Sequence, residues 1–233
     1  AEFARVRDRP TESFGAYECV LRGVSVQYNL NDADMQTAQD LFRRAIELDP
    51  QYAQAHAHLA WLHNLRFGEG FGRYAAEDRQ RADQLSQRAV QLDSRDAWVL
   101  SVAAHIQSFL CKRFSAAQEM FEQALQLNPS CSNAWALSGT TLAYQGRGDE
   151  ALARVRNALR LSPFDPNSFW YFTTNGIACI VEGRHDEAIS WLGRALRLNP
   201  RYHAGTRMLV VAHALSGDID SASRVGRDFL ALE

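Results

Sequence analysis

The sequence predicts an all-α protein, an α-solenoid of about six stacked helix pairs. Apolar residues recur at helical spacing, one short string returns along the chain, and each copy of it ends at a residue that stops a helix. The copies read "FRRAIELDP" at 42–50, "FEQALQLNP" at 121–129, "VRNALRLSP" at 155–163 and "LGRALRLNP" at 192–200. A repeat of this length cannot bury its own apolar face, so neighbouring repeats are expected to stack on one another.

Proline marks the same point in each copy, because it cannot continue a helix and disfavours helical backbone in the residue before it. The separation is 34 residues from Pro129 to Pro163 and 37 residues from Pro163 to Pro200. The 79 residues from Pro50 to Pro129 fit two periods plus an insertion of about ten residues, with Ser94 in place of the missing proline. The predicted units are 17–50, 51–94, 95–129, 130–163, 164–200 and 201–233.

Residues 1–16 come before the first unit and are predicted to form a linker, because they are mostly polar or charged and contain Pro10. The opening "AEF" is interpreted as residues left from cloning. We therefore expect 17–233 to form the repeat domain and expect the chain to be a piece of a longer protein.

The second helix of each unit carries the pattern Ala-x3-large-x2-Ala, with Val155 as the large residue of one copy. These spacings of four and three place the three residues on one face, where small alanines let a neighbouring helix approach closely. The strings "QGRGDEA" at 145–151, "EGRHDEA" at 182–188 and "SGDIDSA" at 216–222 come just before this pattern. Glycine favours the end of one helix and aspartate the start of the next, so each unit is predicted to be a helical hairpin.

The second unit contains the insertion, in the string "LRFGEGFGRYAAED" at 65–78. Its glycines and its lack of apolar periodicity predict a loop or a lengthened helix end that projects from the stack. Deletion of residues 68–72 is expected to leave the fold nearly intact.

The string "NAWALSGTTLAYQGRGDEALARVRNALRLSP" at 133–163 resembles the tetratricopeptide repeat. The residues at the signature positions of that family are Trp135, Gly139, Gly146, Ala151, Ala158 and Pro163. Ser138 and Leu142 stand where the family usually has leucine and tyrosine. The resemblance covers nearly the whole chain after residue 16, and it implies a right-handed superhelix whose first helices line a concave groove.

The charge of the chain gives no reason to expect nucleic acid as a partner. The formal net charge is −2 at pH 7 and the isoelectric point is near 6.4, so the chain has no basic field to attract phosphate. No apolar run approaches the length of roughly 18 residues that a membrane-spanning helix needs, so direct membrane insertion is not expected. The cysteines are far apart and outside any metal-binding pattern, so neither a metal nor another cofactor is predicted.

The sequence also predicts no catalytic residues. His56 and His63 are seven residues apart, whereas metal ligands on one helix are three or four apart. "GEGFG" at 68–72 lacks the preceding strand and the following lysine of a phosphate-binding loop. This chain is therefore not expected to be an enzyme. The alternative is an enzyme or ligand-binding protein on a repeat scaffold, with these histidines and the insertion as its site.

The resemblance assigns partner binding to the groove positions of the first helices, which are strongly apolar here. The expected partner is a protein or peptide, or a second copy of the chain in a homodimer. The last unit adds Arg207, Val211 and Leu215 to this lining. The main predicted lining residues are Trp61, Leu65, Val102, Ile106, Phe109, Tyr144, Trp170, Ile177 and Val181.

The junction "RPTESFGAYECVLRG" at 9–23 resembles the start of the C-terminal repeat region of bacterial class III adenylate or guanylate cyclases. This resemblance implies a regulatory region of a bacterial signalling protein that is itself a nucleotide cyclase. It also implies a membrane-associated protein, with the module on either the cytoplasmic or the periplasmic side. A similar region follows the DNA-binding domain of some bacterial transcription regulators, which is the second candidate of this class.

Overall fold

The computed structural model of the protein describes residue 11 and residues 13–71, 75–165 and 167–231. These residues form twelve α-helices and no strands, which confirms the predicted all-α repeat fold. The helices are α1 Phe14–Gln27, α2 Asp32–Leu48, α3 Ala53–Glu69, α4 Ala75–Leu92, α5 Ala97–Phe109, α6 Phe114–Leu127, α7 Ser132–Tyr144, α8 Gly148–Leu161, α9 Phe169–Val181, α10 His185–Leu198, α11 His203–Leu215 and α12 Ile219–Leu230. None of these helices combines the length and the apolarity needed to cross a bilayer.

The helices group into two compact units. The first consists of the described residues up to Phe67 and from Phe71 to Met120, and the second consists of Gly68–Gly70 and the described residues from Phe121 onward. In the second unit α7 packs on α8, α9 on α10 and α11 on α12, and the first helices α7, α9 and α11 also contact one another in that order. Helix α1 begins at Phe14, so the last three residues of the predicted linker are helical.

The turns form where the sequence predicts them. Gly146, Gly183 and Gly217 follow the ends of α7, α9 and α11 with φ of +80°, +70° and +86°, a left-handed conformation that glycine adopts without strain. Asp96 caps α5, because its carboxylate accepts hydrogen bonds from the backbone nitrogens two and three residues later at 2.8 and 3.1 Å. Short polar residues thus set the helix boundaries.

The alanine pattern of the second helices forms the inner face of each pair. Its alanines and large residues are at most 1% exposed in α2, α6, α8 and α10. A glycine of the first helix faces the large residue: a β-carbon at Gly23 would lie 2.4 Å from Cε1 of Phe42, and one at Gly176 would lie 2.5 Å from Cγ of Leu192. These approaches leave no room for a side chain, so they fix how the two helices of a pair meet.

Both helices of the second pair, which flank the insertion, are longer than the helices of the pairs that follow. Helices α3 and α4 contain 17 and 18 residues, whereas α5 and α7 contain 13 and α6 and α8 contain 14. The prediction of a lengthened helix end is therefore confirmed, but the prediction that this end projects freely is wrong for Gly68–Gly70. Residues 72–74 lie outside the described residues.

Glu69, the last residue of α3, lies against the start of α11. It is only 3% exposed, and its Oε2 accepts a hydrogen bond from the backbone nitrogen of Ala204 at 3.3 Å. Nδ1 of His203 lies 3.1 Å from the Glu69 carbonyl oxygen, and Arg207 donates to the Gly68 carbonyl. Tyr202 gives α11 no capping side chain, so the carboxylate of Glu69 supplies the missing acceptor.

Glu69 should make the stability of the protein depend on pH. Burial raises its pKa to about 7 from the usual 4.5, although Ala204 and Arg207 favour the carboxylate. The native state therefore holds this proton more tightly than the unfolded state, and this contribution to stability falls as the pH rises from 4.5 to 7. Glu69→Gln keeps an acceptor for Ala204 and should be more stable than the wild type by about 3 kcal/mol at pH 8.

At pH 5 the two proteins should differ by less than about 1 kcal/mol, because the carboxyl is then neutral in the native state and the pH is only slightly above the ordinary pKa that applies in the unfolded state. Thermal unfolding at pH 5 and pH 8, followed by circular dichroism, measures both differences. If the stability of the two proteins changes equally between pH 5 and pH 8, Glu69 does not titrate in this range.

Candidate interaction surface

The structure buries most of the predicted groove lining. Five of the nine residues are at most 9% exposed: Trp61, Leu65, Val102, Ile106 and Trp170. These five side chains are therefore buried, and the assignment of the nine residues to a partner-binding groove stays a prediction. The small residues of the repeat let helices approach so closely that the larger apolar side chains fill the interior. Phe109 and Ile177 are half-buried, and Phe109 stacks on His105 with ring centroids 5.6 Å apart.

Tyr144 and Val181 remain accessible, and Leu215 joins them. These three residues are the last residues of α7, α9 and α11, and they are 40%, 39% and 52% exposed. They occupy the same position in three successive repeats, and we call them the apolar row. Val211, one turn before Leu215, and Ile219, just after the next turn, are also exposed.

The apolar row is held together by packing of the helices that carry it. Helix α9 contacts both α7 and α11, and packed helices lie 8–10 Å apart, so neighbouring members of the row are spaced by about that distance. Oε1 of Glu182 accepts a hydrogen bond from the backbone nitrogen of Asp149 at 3.1 Å, and Nη1 of Arg184 lies 3.8 Å from Oδ1 of Asp149. These contacts join the turn after Tyr144 to the turn after Val181. The turns therefore form one continuous edge of the stacked helices.

Carboxylates surround the apolar row, because the second helices begin there and negative charge is favourable at a helix N-terminus. Arg147 holds Glu150 through two hydrogen bonds of 2.7 and 2.6 Å, and Arg184 holds Glu187 in the same way. The hydrogen bonds from these arginines lower the pKa of Glu150 and Glu187. The arginine charges of the edge are thus already paired.

The histidines of the insertion region do not converge on a site. Nε2 of His56 lies 3.1 Å from the carbonyl oxygen of Pro50, and the ring of His58 stacks between Phe42 and Trp98. Nδ1 of His63 lies 2.6 Å from Oδ1 of Asp78, and both of these residues are buried. Among the described residues, no group of three or more histidine, cysteine, aspartate or glutamate side chains is placed to hold a metal ion.

The tetratricopeptide repeat family matches residues 112–166 of this chain. Anaphase-promoting complex subunit 7 from Homo sapiens is 40% identical over 68 residues, which are 29% of this chain and 12% of that protein. The corresponding protein from Mus musculus matches equally well.

Solved structures with the same fold extend over most of the chain. A structure of human IFIT1, a dimer with m7Gppp-AAAA, superposes with a TM-score of 0.75 and 15% identity over 92% of this chain and 50% of that one. A thermophilic tetratricopeptide repeat protein from Thermus thermophilus gives a TM-score of 0.62 and 21% identity over 84% of this chain and 98% of that one.

This chain thus spans half the length of the IFIT1 chain and a small part of the anaphase-promoting complex subunit. The likenesses show an all-α repeat fold of the tetratricopeptide type. Together with the family match, they support a tetratricopeptide repeat protein, a fold that typically serves protein–protein interaction.

Proposed function

We propose that this chain is a protein-interaction module that binds a segment of a partner protein on the apolar row. The observation that carries the proposal is the exposure of an apolar side chain at the same position of three successive first helices, at Tyr144, Val181 and Leu215. Apolar side chains on rigid helices bury area against a partner with little loss of conformational entropy, so a few of them supply most of the binding energy. Self-association through this surface is the homodimeric form of the same proposal.

Nucleic acid is not the partner that this surface fits. The edge around the apolar row carries carboxylates, and its arginines are paired with Glu150 and Glu187. Binding of phosphate requires unpaired basic groups, which this edge lacks in the described residues.

The larger protein that we propose for this module is a bacterial signalling protein, with the module as its regulatory C-terminal region. The support is the junction at 9–23, which resembles the corresponding part of class III nucleotide cyclases. This proposal predicts a cyclase domain with metal-binding aspartates upstream of residue 1 in the reading frame. Sequencing of that frame tests it, and a DNA-binding domain at the same place would favour the transcription regulator instead.

Selection of binding peptides from a random display library tests the interaction itself. The selected peptides are expected to lose about tenfold or more of their affinity for the double variant Val181→Ser/Leu215→Ser, because each substitution removes an apolar contact without adding charge. Leu198→Ser is the matched control: Leu198 is 52% exposed and is also the last residue of its helix, but it ends α10, which runs to the opposite edge. Circular dichroism must show unchanged helicity in both proteins.

If the peptides bind the double variant as tightly as the wild type, they bind elsewhere, and the apolar row is not the binding surface. A selection that yields no peptide above background would reject the proposed function.

A further inference from the structure

The edge that carries the apolar row has an excess of negative charge that the whole chain does not share. Its three turns are residues 144–150, 181–187 and 215–220, and they contain seven carboxylates and two arginines, which leaves five negative charges in excess. The formal net charge of the entire chain is only −2. The rest of the chain is therefore net positive, and the negative charge is concentrated beside Tyr144, Val181 and Leu215.

Three of these carboxylates, those of Glu182, Asp186 and Asp220, have no basic partner among the described residues, although Glu182 accepts a hydrogen bond from the backbone nitrogen of Asp149. Arg147 and Arg184 pair with Glu150 and Glu187, whereas the side chains of Asp186 and Asp220 are exposed and make no ion pair within the described chain. Like charges concentrated on one exposed edge repel one another, and a basic partner would relieve this repulsion.

We infer that the partner is a protein segment that presents apolar side chains about 10 Å apart, separated by lysine or arginine. This inference rests on the proposed function and specifies the chemistry of the partner. An amphipathic helix meets the spacing with one apolar residue in every seven, because seven residues rise by about 10 Å. Its basic residues then lie beside Asp186 and Asp220, and the apolar residues lie on the row.

The opposite edge of the same unit carries positive charge, so the sign of a peptide's charge distinguishes the two edges. There the second helices end, Leu198 is exposed, and the accompanying charged residues include Arg160, Arg197 and Arg201. An acidic segment would be attracted to that edge and a basic segment to the apolar row. The charge of a peptide therefore decides where it binds.

Binding of two synthetic helical peptides tests the inference by fluorescence anisotropy. The peptides have the same length and the same leucine spacing, with lysine in one and glutamate in the other at the remaining polar positions. The lysine peptide is expected to bind about tenfold more tightly at low salt, and increasing salt should reduce this advantage. Asp186→Asn/Asp220→Asn should weaken binding of the lysine peptide severalfold.

The double substitution Glu119→Gln/Asp228→Asn is the matched control, because it removes the same charge from α6 and α12 outside the three turns. It should leave the affinity of the lysine peptide unchanged. Equal weakening by both double variants, or tighter binding of the glutamate peptide, would overturn the inference.

Failure of the inference can be separated from failure of the proposed function. If the glutamate peptide binds more tightly and still loses affinity in Val181→Ser/Leu215→Ser, which adds no charge, the apolar row is a binding surface and only the inferred charge of the partner is wrong. If display selection yields no ligand and neither peptide binds, the proposed function itself is rejected.

Discussion

Gly176→Ala is expected to lower the melting temperature of the protein by about 4–8 °C, the equivalent of about 2 kcal/mol. The added methyl group would lie 2.5 Å from Cγ and 2.8 Å from Cδ2 of Leu192, a side chain with no exposed surface. Leu192 cannot move away, because it packs in the interior with Cys179, Ala188 and Ala212. Overpacking therefore outweighs the gain of up to about 1 kcal/mol that alanine brings to a helix.

Gly193→Ala is the matched control, since it makes the same substitution in α10. A β-carbon there would meet only the flexible end of Arg197, at 3.5 Å. Helix propensity then dominates, and the variant should be as stable as the wild type or more stable by up to about 1 kcal/mol. Thermal unfolding followed by circular dichroism compares the two variants, and equal melting temperatures would show that Leu192 repacks without cost.

His105 should make the protein less stable in acid. Burial lowers its pKa to about 3 from the usual 6.5, and its Nδ1 has no hydrogen-bond partner that could stabilise the charged form. Its contribution to stability is complete above pH 6.5 and is lost as the pH falls towards 3, because the unfolded state takes up a proton that the native state does not. At pH 5 the loss is about 2 kcal/mol.

His105→Phe removes this titration and keeps the aromatic contacts with Trp61 and Phe109, whose ring centroids lie 5.5 and 5.6 Å from that of His105. Between pH 8 and pH 5 the variant is expected to lose about 2 kcal/mol less stability than the wild type. The free energy of unfolding, measured with urea at both pH values, tests this. An equal loss in the two proteins would assign the acid sensitivity to other groups, such as His58.

The repeating features of the fold could be predicted because each rests on local chemistry. Pro129 and Pro163 end helices through their own backbone constraints, and Gly146 and Gly183 adopt the left-handed turns that glycine favours. Spacings of three and four residues were enough to place the alanines of the second helices on one face. These rules act within a few residues, so one sequence is sufficient to apply them.

The exposure of the candidate site residues could not be predicted from the sequence, because exposure depends on what neighbouring helices cover. Trp61 and Trp170 have the size and position of groove residues, yet both are buried. Tyr144 and Val181 were named on the same grounds and are exposed. The acidic turns are visible in the sequence as recurring Gly-x-x-Asp strings, but on sequence alone such strings indicate only helix boundaries.

The sequence by itself determined the helix pairs, their turns and the residues that face the inside of each pair, because those depend on interactions between residues close in the chain. Only the tertiary structure decided whether the start of the insertion is free or packed against other residues. Its glycines permit a free end, but the buried carboxylate of Glu69 accepts a hydrogen bond from Ala204, 135 residues later. A contact over such a distance in the chain leaves no periodic trace in a single sequence. Val181 is exposed and Val102 is buried although both residues are valine. Packing between repeats decides this difference, and that packing also depends on residues far apart in the chain.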